Sequence, residues 1–250
     1  MQFELTREFA DLLRQAVGQQ NDALIKESLE GVNSADITET LEEFDSEESK
    51  YVLALLDKEV GAEIISDLEE DTRKRFLKDF TEEEIASYID EMDSDDGADV
   101  LNELPLQVRE KVISSLTNEE KTLHILDLMR YEDDVAGGLM AKELIKANLN
   151  WTVEQTIEEI RRQGENVSKI FSIYVVDNAN KLLGKVSLRK MILAKDGTKI
   201  ADIYDDEVIA VETYVEDEEV VAVMKKYDLE AIPVINLQGK LMGRITIDDV

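Results

Sequence analysis

The second half of the sequence contains a tandem duplication, which constrains the fold more than any other feature. A helical stretch, WTVEQTIEEIRR, precedes a β-branched run, FSIYVVD, a turn, and a second run, KLLGKVSL; the order then returns as TYVEDEEVVAVMKKY, AIPVIN and KLMGRITI. Val175 aligns with Val234, and Gly184 with Gly243, each 59 residues later. The duplication predicts two small α-β-β halves, each covered by its own helix and completed by the other half.

The first half of the sequence has a helical pattern from residue 3 to about residue 129. Apolar residues recur there at three- and four-residue spacing. Three stretches, starting at Ala35, Gly61 and Gly97, place a small residue before an acidic residue and two apolar ones. Helices this short cannot bury an apolar face alone, so the pattern predicts a solenoid-like stack.

Charge is the unusual feature of the composition. The chain has 58 acidic and 28 basic residues, a net charge of -30 and a pI near 4.3. Such a surface repels nucleic acid and anionic lipid and attracts cations, so we expect no nucleic-acid partner. The alternative is a solvated acidic surface that only aids solubility.

The absence of cysteine excludes disulfides and thiolate metal sites. No run of about 18 apolar residues occurs, so we expect no membrane span in this sequence.

A short segment, YEDDVAGGLM at residues 131–140, separates the two patterns. Gly137 and Gly138 interrupt the helical rhythm, which predicts an interdomain connection. Glycine also permits close backbone approach, while two glycines in a row are equally compatible with a flexible joint. The predicted organisation is an acidic helical domain at 1–130, the connector, and α/β domains at 141–200 and 201–250.

These motifs resemble a known family. The segments GKVSLRK and GRITIDD are similar to CBS (cystathionine-β-synthase-type) domains, YEDDVAGGLM is similar to the segment that opens the CBS region of MgtE-type magnesium transporters, and IASYIDEM followed by SDDGADVL resembles that family's N-terminal domain. The resemblance implies an all-α superhelical (armadillo-like) N-terminal domain followed by an α/β tandem CBS-domain pair.

The resemblance also implies partners and a location. Family members are homodimers joined through their CBS pairs, and a membrane pore domain follows the second CBS domain. We therefore expect a pore domain beyond Val250, with the second CBS domain cut at its last helix. The fragment would be cytoplasmic, and the full-length protein would lie in the cell (inner) membrane.

The resemblance further implies Mg²⁺ bound between the N-terminal domain and the CBS region. Mg²⁺ requires oxygen ligands and keeps much of its water, so one or two carboxylates per ion suffice. Asp95 and Asp99 would share one face of a helix whose N-cap candidate is Ser94; alternatively, Asp95 and Asp96 only complement the helix N-terminus. The matched positions are Glu63, Asp95, Asp99, the backbone carbonyl near Gly138, Glu218, Asp228 and Asp249.

A nucleotide site is the second implication of the CBS resemblance. The stretch that contains Thr246 and Asp249 is similar to the pattern with which many CBS domains hold the ribose of adenine nucleotides such as ATP. In the first copy, Lys190 replaces the acidic residue, which puts a site there in doubt. Thr246 and Asp249 would alternatively cap the helix that follows.

No catalytic motif is present, so the chain is predicted not to be an enzyme. The only histidine, His124, lies in a helical pattern, and no P-loop, G-x-S-x-G or H-E-x-x-H occurs. The leading hypothesis is a Mg²⁺ sensor that closes a pore when the ion bridges the N and CBS domains. The alternatives are an adenine-nucleotide sensor and a helical-repeat scaffold for protein partners.

Overall fold

A computed structural model describes residues 6–164, 170 and 172–250, and the chain forms two compact units. The first unit ends at Leu123 and the second begins at His124. Phe171, at the start of the predicted strand run FSIYVVD, lies outside the described residues, as does Phe3. Within the described parts of the chain, no helix combines the length and apolar character that crossing a membrane requires.

The first unit is built of short helices that begin at polar caps. Asp45 forms a capping box with Glu48, and Thr81 forms one with Glu84, so the side chains satisfy amide groups that the helix itself leaves open. Its helices are α1 (Arg7–Gly18), α2 (Asp22–Leu29), α3 (Ser34–Glu42), α4 (Ser46–Leu53), α5 (Lys58–Asp67), α6 (Glu70–Phe76), α7 (Glu82–Ile89), α8 (Ser94–Glu103), α9 (Leu106–Ser115) and α10 (Glu119–Leu128), which continues into the second unit.

The stacking of these helices has a regular period. The Lys58 ammonium donates a hydrogen bond to Ser87 Oγ (3.0 Å), and Lys111 donates one to Glu82 Oε1 (2.7 Å), each across 29 residues. Three cations lie over aromatic rings 30 residues further along. These pairs are Arg14 with Phe44, Lys50 with Phe80, and Lys58 with Tyr88, at 4.8, 4.9 and 3.7 Å from the ring centroids. A helical repeat of about 30 residues therefore joins each layer to the next, which confirms the predicted solenoid-like array.

The second unit contains two three-stranded sheets, one from each copy of the duplication. We call residues 145–193 repeat A and residues 211–249 repeat B. In each repeat the first strand runs parallel to the second, and the third runs antiparallel to it. The elements are α11 (Ala136–Leu139), β1 (Ile145–Asn148), α12 (Val153–Gln163), β2 (Ile173–Val176), β3 (Leu182–Val186), α13 (Leu188–Leu193), β4 (Val211–Glu212), α14 (Asp217–Tyr227), β5 (Ala231–Ile235) and β6 (Leu241–Thr246).

The predicted α-β-β repeat was incomplete, because each repeat begins with a further strand. β1 has four residues and β4 only two, so neither carries a period-2 pattern long enough to read from the sequence. Both become strands by pairing with the buried strand that follows the helix. The fold class itself, an all-α superhelix followed by a pair of small α/β domains, is confirmed.

An approximate two-fold axis relates the two repeats. Lys181 and Lys240, which are equivalent positions 59 residues apart, pair with each other in an isolated bridge. The bonds around them are reciprocal: Leu182 N–H donates to Gly239 O, and Leu241 N–H donates to Asn180 O, both at 2.9 Å. Because this contact joins equivalent residues, the axis passes close to it. The repeats complete one another as predicted, with Tyr174, Val176 and Leu241 buried together.

Candidate metal centre

The α8 carboxylates occupy the start of a helix. Asp93 is the N-cap and the buried Ser94 is the first helical residue, so the prediction of Ser94 as N-cap was wrong by one position. Asp95 Oδ1 accepts a hydrogen bond from Asp96 N–H at 3.0 Å, which supports the alternative that Asp95 complements the helix N-terminus. Asp99 lies one turn further and is exposed. The two carboxylates share one helix face, as expected from their spacing.

A buried cation lies beside this acidic helix. Arg73 of α6 binds both carboxylate oxygens of Glu103: its Nη2–H donates to Oε1 at 2.5 Å, and its Nε–H is shared between Oε2 at 3.0 Å and Oε1 at 3.2 Å. Both side chains are about nine-tenths buried. Desolvation by burial lowers the Arg73 pKa. The hydrogen bond to Glu103 and its charge, together with the charges of Asp99 and Asp96, raise it by more, so the pKa is raised overall. The field at Asp99 is therefore partly neutralised by the protein itself.

Glu63 is placed on a different helix of the first unit. It is exposed on α5, between buried Ala62 and Ile64. The α5 helix packs tightly on α7, since a Cβ at Gly61 would lie 2.6 Å from Tyr88 Cε1. The glycine and small-residue pattern seen in the sequence at this point therefore serves packing, and it fixes the helix that carries Glu63.

The connector is held against repeat B, and the flexible-joint alternative for its two glycines was wrong. The segment that interrupts the helical rhythm in sequence forms α11, one helical turn. Gly137 N–H donates to Thr213 O at 2.8 Å, and Ala136 N–H donates to Val215 O at 2.8 Å. A Cβ at Gly138 would lie 2.4 Å from the Glu132 carbonyl oxygen, so glycine is required for this close approach.

The connector that contains Gly138 contacts the N-terminal end of α14, the helix that carries Glu218. Val135 pairs with Glu216 in an antiparallel bridge, and Asp217 N–H donates to Asp134 O at 3.0 Å. These contacts bring the connector to the first turn of α14, where Glu218 is exposed. The helix N-terminus carries a partial positive charge, which suits this acidic turn.

Asp228 and Asp249 belong to the opposite end of α14 and of the repeat B sheet. Asp228 is the exposed C-cap of α14, with φ 52° and ψ 53°, a left-handed conformation that Asp adopts more readily than most side chains. Ala231 pairs with Thr246, and Ile247 N–H donates to Glu230 O at 3.0 Å. The start of β5, close after Asp228, therefore lies beside the end of β6.

Thr246 and Asp249 form a cap at the start of a helical turn, which was the alternative to nucleotide binding. Asp249 Oδ2 accepts hydrogen bonds from Thr246 N–H at 2.7 Å and from Thr246 Oγ1 at 3.0 Å, at the start of a 3₁₀ turn, Ile247–Asp249. Asp249 is exposed as a residue, but its carboxylate is turned back onto the sheet, and desolvation raises its pKa although the Thr246 hydrogen bonds act to lower it. Nucleotide binding by this pair stays a prediction.

Two of the predicted ligands of the second unit lie too far apart to share one ion. Glu218 and Asp228 lie ten residues apart on and just after α14, which at about 1.5 Å per residue separates them by about 15 Å. Two oxygens on one Mg²⁺ lie at most about 4 Å apart, given metal–oxygen distances near 2.1 Å. Glu218 and Asp228 therefore cannot hold the same ion.

Two cations beside the connector were missed from the sequence. Arg244 is buried and donates its Nε–H to Glu143 O at 2.6 Å. Lys142, whose side chain is 8% exposed, forms an ion pair with Asp127 at 2.9 Å. The only signal for Arg244 was its alignment with Lys185 in the duplication, which suggests a cation at this register position in both copies.

An open cleft of about 400 Å³ lies between α13 of repeat A and the segment that follows this repeat in the chain. It is lined by Lys190 and Leu193 of α13 and by the segment that contains Asp202 and Tyr204. Lys190 is the residue that replaces the acidic position of the second copy, so the cleft offers a cation where the nucleotide pattern calls for a carboxylate.

Comparison with known proteins gives matches across nearly the whole chain. The family described as MgtE intracellular N domain matches residues 32–134, and the CBS domain family matches residues 134–197 and 200–250. Magnesium transporter MgtE from Thermus thermophilus is 41% identical over 123 residues, which are 49% of this chain and 27% of the relative. The matched segment thus spans under a third of that transporter's length.

Two solved structures resemble the whole chain. The crystal structure of the cytosolic domain of the Mg²⁺ channel MgtE in complex with ATP has a TM-score of 0.88 at 32% identity, and the match covers 96% of this chain and 98% of that one. The crystal structure of the soluble part of a magnesium transporter has a TM-score of 0.86 at 29% identity, covering 98% and 96%. These relatives are transporters and channel domains, not enzymes.

Proposed function

The chain belongs to the MgtE family of magnesium transporters, as a cytosolic regulatory region with a CBS pair, and from this premise we propose that it senses Mg²⁺ and closes the pore when the ion bridges its N and CBS domains. One observation carries the proposal: the likeness to the cytosolic domain of a Mg²⁺ channel extends over 96% of the chain at a TM-score of 0.88. The sensed ion is Mg²⁺, and its proposed ligands are Glu63, Asp95, Asp99, the carbonyl near Gly138, Glu218, Asp228 and Asp249.

Electrostatics supplies the mechanism. With a net charge of -30, acidic surfaces on the two domains repel when they approach. Two carboxylates about 6 Å apart at an effective dielectric near 20 repel by roughly 3 kcal/mol, and a shared divalent cation reverses the sign. Because Mg²⁺ gives up its water reluctantly, such sites are weak, which suits the sensing of an abundant free ion.

The test is small-angle X-ray scattering of the 250-residue chain during a Mg²⁺ titration. We expect the radius of gyration to fall across the millimolar range, and the triple variant Asp95→Asn, Asp99→Asn, Asp228→Asn to respond much less. The control removes the same charge from three exposed aspartates outside the proposed set, Asp11, Asp196 and Asp206, and should respond like the parent. Unchanged dimensions of the parent chain, or an unimpaired triple variant, would remove the clamp.

The partners are proposed on the same premise. The chain forms a homodimer through its CBS pair, and in the full-length protein it is joined to a membrane pore domain on the cytosolic side of the membrane. Light scattering after size exclusion, with and without Mg²⁺, tests the dimer. A mass of one chain at all concentrations would contradict it.

ATP is the second ligand proposed, because the related channel domain was solved in complex with ATP. The proposed binding residues are Thr246 and Asp249, with Lys190 at the cleft beside α13 of repeat A as the competing location. Calorimetry with ATP and with Mg²⁺ in separate titrations distinguishes a nucleotide sensor from an ion sensor. Loss of the ATP signal in Thr246→Val, but not in Lys190→Ala, would place the nucleotide in repeat B; the converse would place it in repeat A.

A further inference from the structure

The proposed ligands of the first unit lie on two helices, and both helices end at the same buried cation. Glu63 is on α5, while Asp95 and Asp99 are on α8. Arg73 of α6, whose side chain is 11% exposed, makes hydrogen bonds to the last turn of each helix. One side chain therefore joins the two helices that carry these carboxylates.

At α5, Arg73 binds backbone carbonyl groups that the helix leaves open. Its Nη1–H groups donate to Ser66 O at 2.8 Å and to Ile65 O at 3.4 Å. The last carbonyl groups of a helix have no partner within it and carry a partial negative charge, so a cation at this position satisfies and stabilises them. Glu63 precedes Ser66 by three residues, about one turn of the same helix. The guanidinium therefore fixes the end of α5 close to Glu63.

At α8, Arg73 binds the last residue of an acidic stripe. Asp95, Asp99 and Glu103 recur every four residues, so they follow one face of the helix. The bidentate pair with Glu103 holds the C-terminal end of this stripe. Asp99 and Asp96 lie near enough for their charges to act on the same guanidinium. A rotation of α8 that turned Asp99 in another direction would therefore have to break the Arg73–Glu103 pair.

We propose that Arg73 is a positioning residue for Mg²⁺ binding: it holds α5 and α8 together, so that Glu63 and the α8 carboxylates are in place before the ion arrives. The inference rests on the proposed function and adds a residue that is not itself a ligand. Mg²⁺ demands near-octahedral geometry at about 2.1 Å, so the placement of its ligands matters. Ligands that are already in place lower the free-energy cost of ordering two helices when the ion binds.

The experiment measures the Mg²⁺ concentration at half-maximal compaction by small-angle X-ray scattering, and the urea midpoint by far-UV circular dichroism. Arg73→Lys keeps the positive charge but lacks the planar fork that binds Glu103 and Ser66 O together. It should lower the urea midpoint and raise the Mg²⁺ midpoint about three- to tenfold. This is less than the loss of a group bonded directly to a metal ligand, about 10–100-fold, because Arg73 acts through the helices.

The double variant Arg73→Met, Glu103→Met separates positioning from stability. Replacing a buried ion pair by apolar residues of similar size is often neutral for stability, and here it leaves the net charge of the chain unchanged. The urea midpoint should therefore return towards that of the parent. The Mg²⁺ midpoint should stay raised, because the hydrogen bonds from α6 to Ser66 O and to α8 are absent. A pair with only a structural role would restore both midpoints.

Lys50→Met is the matched control. Lys50 of α4 also joins two layers of the first unit, since it forms an ion pair with Glu84 at 2.6 Å and donates to Asp79 O at 2.7 Å. Neither α4 nor α7, the helix of Glu84, carries a proposed ligand. The variant should lower the urea midpoint and leave the Mg²⁺ midpoint within about twofold of the parent.

The outcomes separate this inference from the proposal beneath it. If the parent chain compacts and both Arg73 variants keep its Mg²⁺ midpoint, Arg73 does not position the ligands, while the clamp stands. If the double variant regains both midpoints, or if Lys50→Met raises the Mg²⁺ midpoint as far as Arg73→Lys does, the effect follows stability alone and the inference is wrong. If the parent chain does not compact with Mg²⁺, the clamp and its positioning residue both fall.

Discussion

Replacing Gly138 by alanine tests the packed connector directly. A Cβ at this position would lie 2.4 Å from the Glu132 carbonyl oxygen and 3.1 Å from Asp133 Cα. Both neighbours are backbone atoms, so they cannot rotate away as a flexible side chain would. Overpacking of this kind typically costs about 1–3 kcal/mol. Because the obstructing atoms are backbone, we place the cost in the upper part of this range, about 2–3 kcal/mol. Alanine in a helical turn recovers about 1 kcal/mol relative to glycine, which leaves a net loss of about 1–2 kcal/mol.

Trp151 provides the assay, because it is the only tryptophan and lies against the core of repeat A in the same unit. Urea unfolding followed by its fluorescence should show a midpoint lowered by about 0.5–1 M, for an m-value near 2 kcal/mol/M. Gly164→Ala is the matched control, since no atom lies within 4 Å of its added Cβ, and it should not lower the midpoint. If Gly138→Ala were as stable as the parent, the connector would not be packed as described.

The same variant bears on metal binding. If the carbonyl near Gly138 is a ligand, displacing the connector should weaken the compaction by Mg²⁺ even where the variant is fully folded. A normal scattering response in a destabilised Gly138→Ala chain would separate the two roles, leaving the glycine as a packing residue and removing its carbonyl from the ligand set.

Two further predictions concern buried charge. Arg73→Met should destabilise the first unit by about 3–5 kcal/mol, because it leaves Glu103 buried without its bidentate partner; far-UV circular dichroism during urea unfolding measures it, and the double variant with Glu103→Met should recover part of the loss. The pKa of Asp249 is raised by desolvation, so its contribution to stability is full below the unfolded value near 3.9 and is lost as pH rises through the higher folded value. Asp249→Asn should therefore gain stability relative to the parent as pH rises from about 3.9, followed by Trp151 fluorescence, and a difference independent of pH would contradict this.

Features set by local sequence could be predicted, and those set by distant contacts could not. The turn of repeat A was visible as Asn178-Ala179-Asn180 because Asn tolerates the left-handed φ of 63° that Asn180 adopts. The strands β1 and β4 could not be predicted from the sequence, because they are extended only through parallel pairing with β2 and β5. The start of α8 was misplaced by one residue since Asp93 and Ser94 are both good caps, and burial of Ser94 decides between them.

In the candidate site, too, some features could be predicted from the sequence and others depend on distant contacts. The residue types were predictable, because a hard cation needs carboxylates and a close carbonyl, and glycines mark where a backbone can approach. The connector's attachment was not, since it depends on Thr213 and Val215, more than 70 residues further along the chain. Nor was the separation of Glu218 from Asp228, which follows from the length of α14.

That separation leads to a final prediction about the clamp. A single bridging ion acts as a pivot and leaves the bridged domains free to rotate about it, whereas two ions about 15 Å apart, at the two ends of α14, would restrict rotation as well as separation. The first ion to bind must therefore overcome most of the orientational cost, and the second binds to domains already oriented. We expect compaction to depend on Mg²⁺ with a Hill slope above one, and Glu218→Gln or Asp228→Asn alone to bring the slope towards one while leaving partial compaction. A parent slope of one, or complete loss of compaction in both single variants, would mean that the two ends of the helix do not act as separate sites.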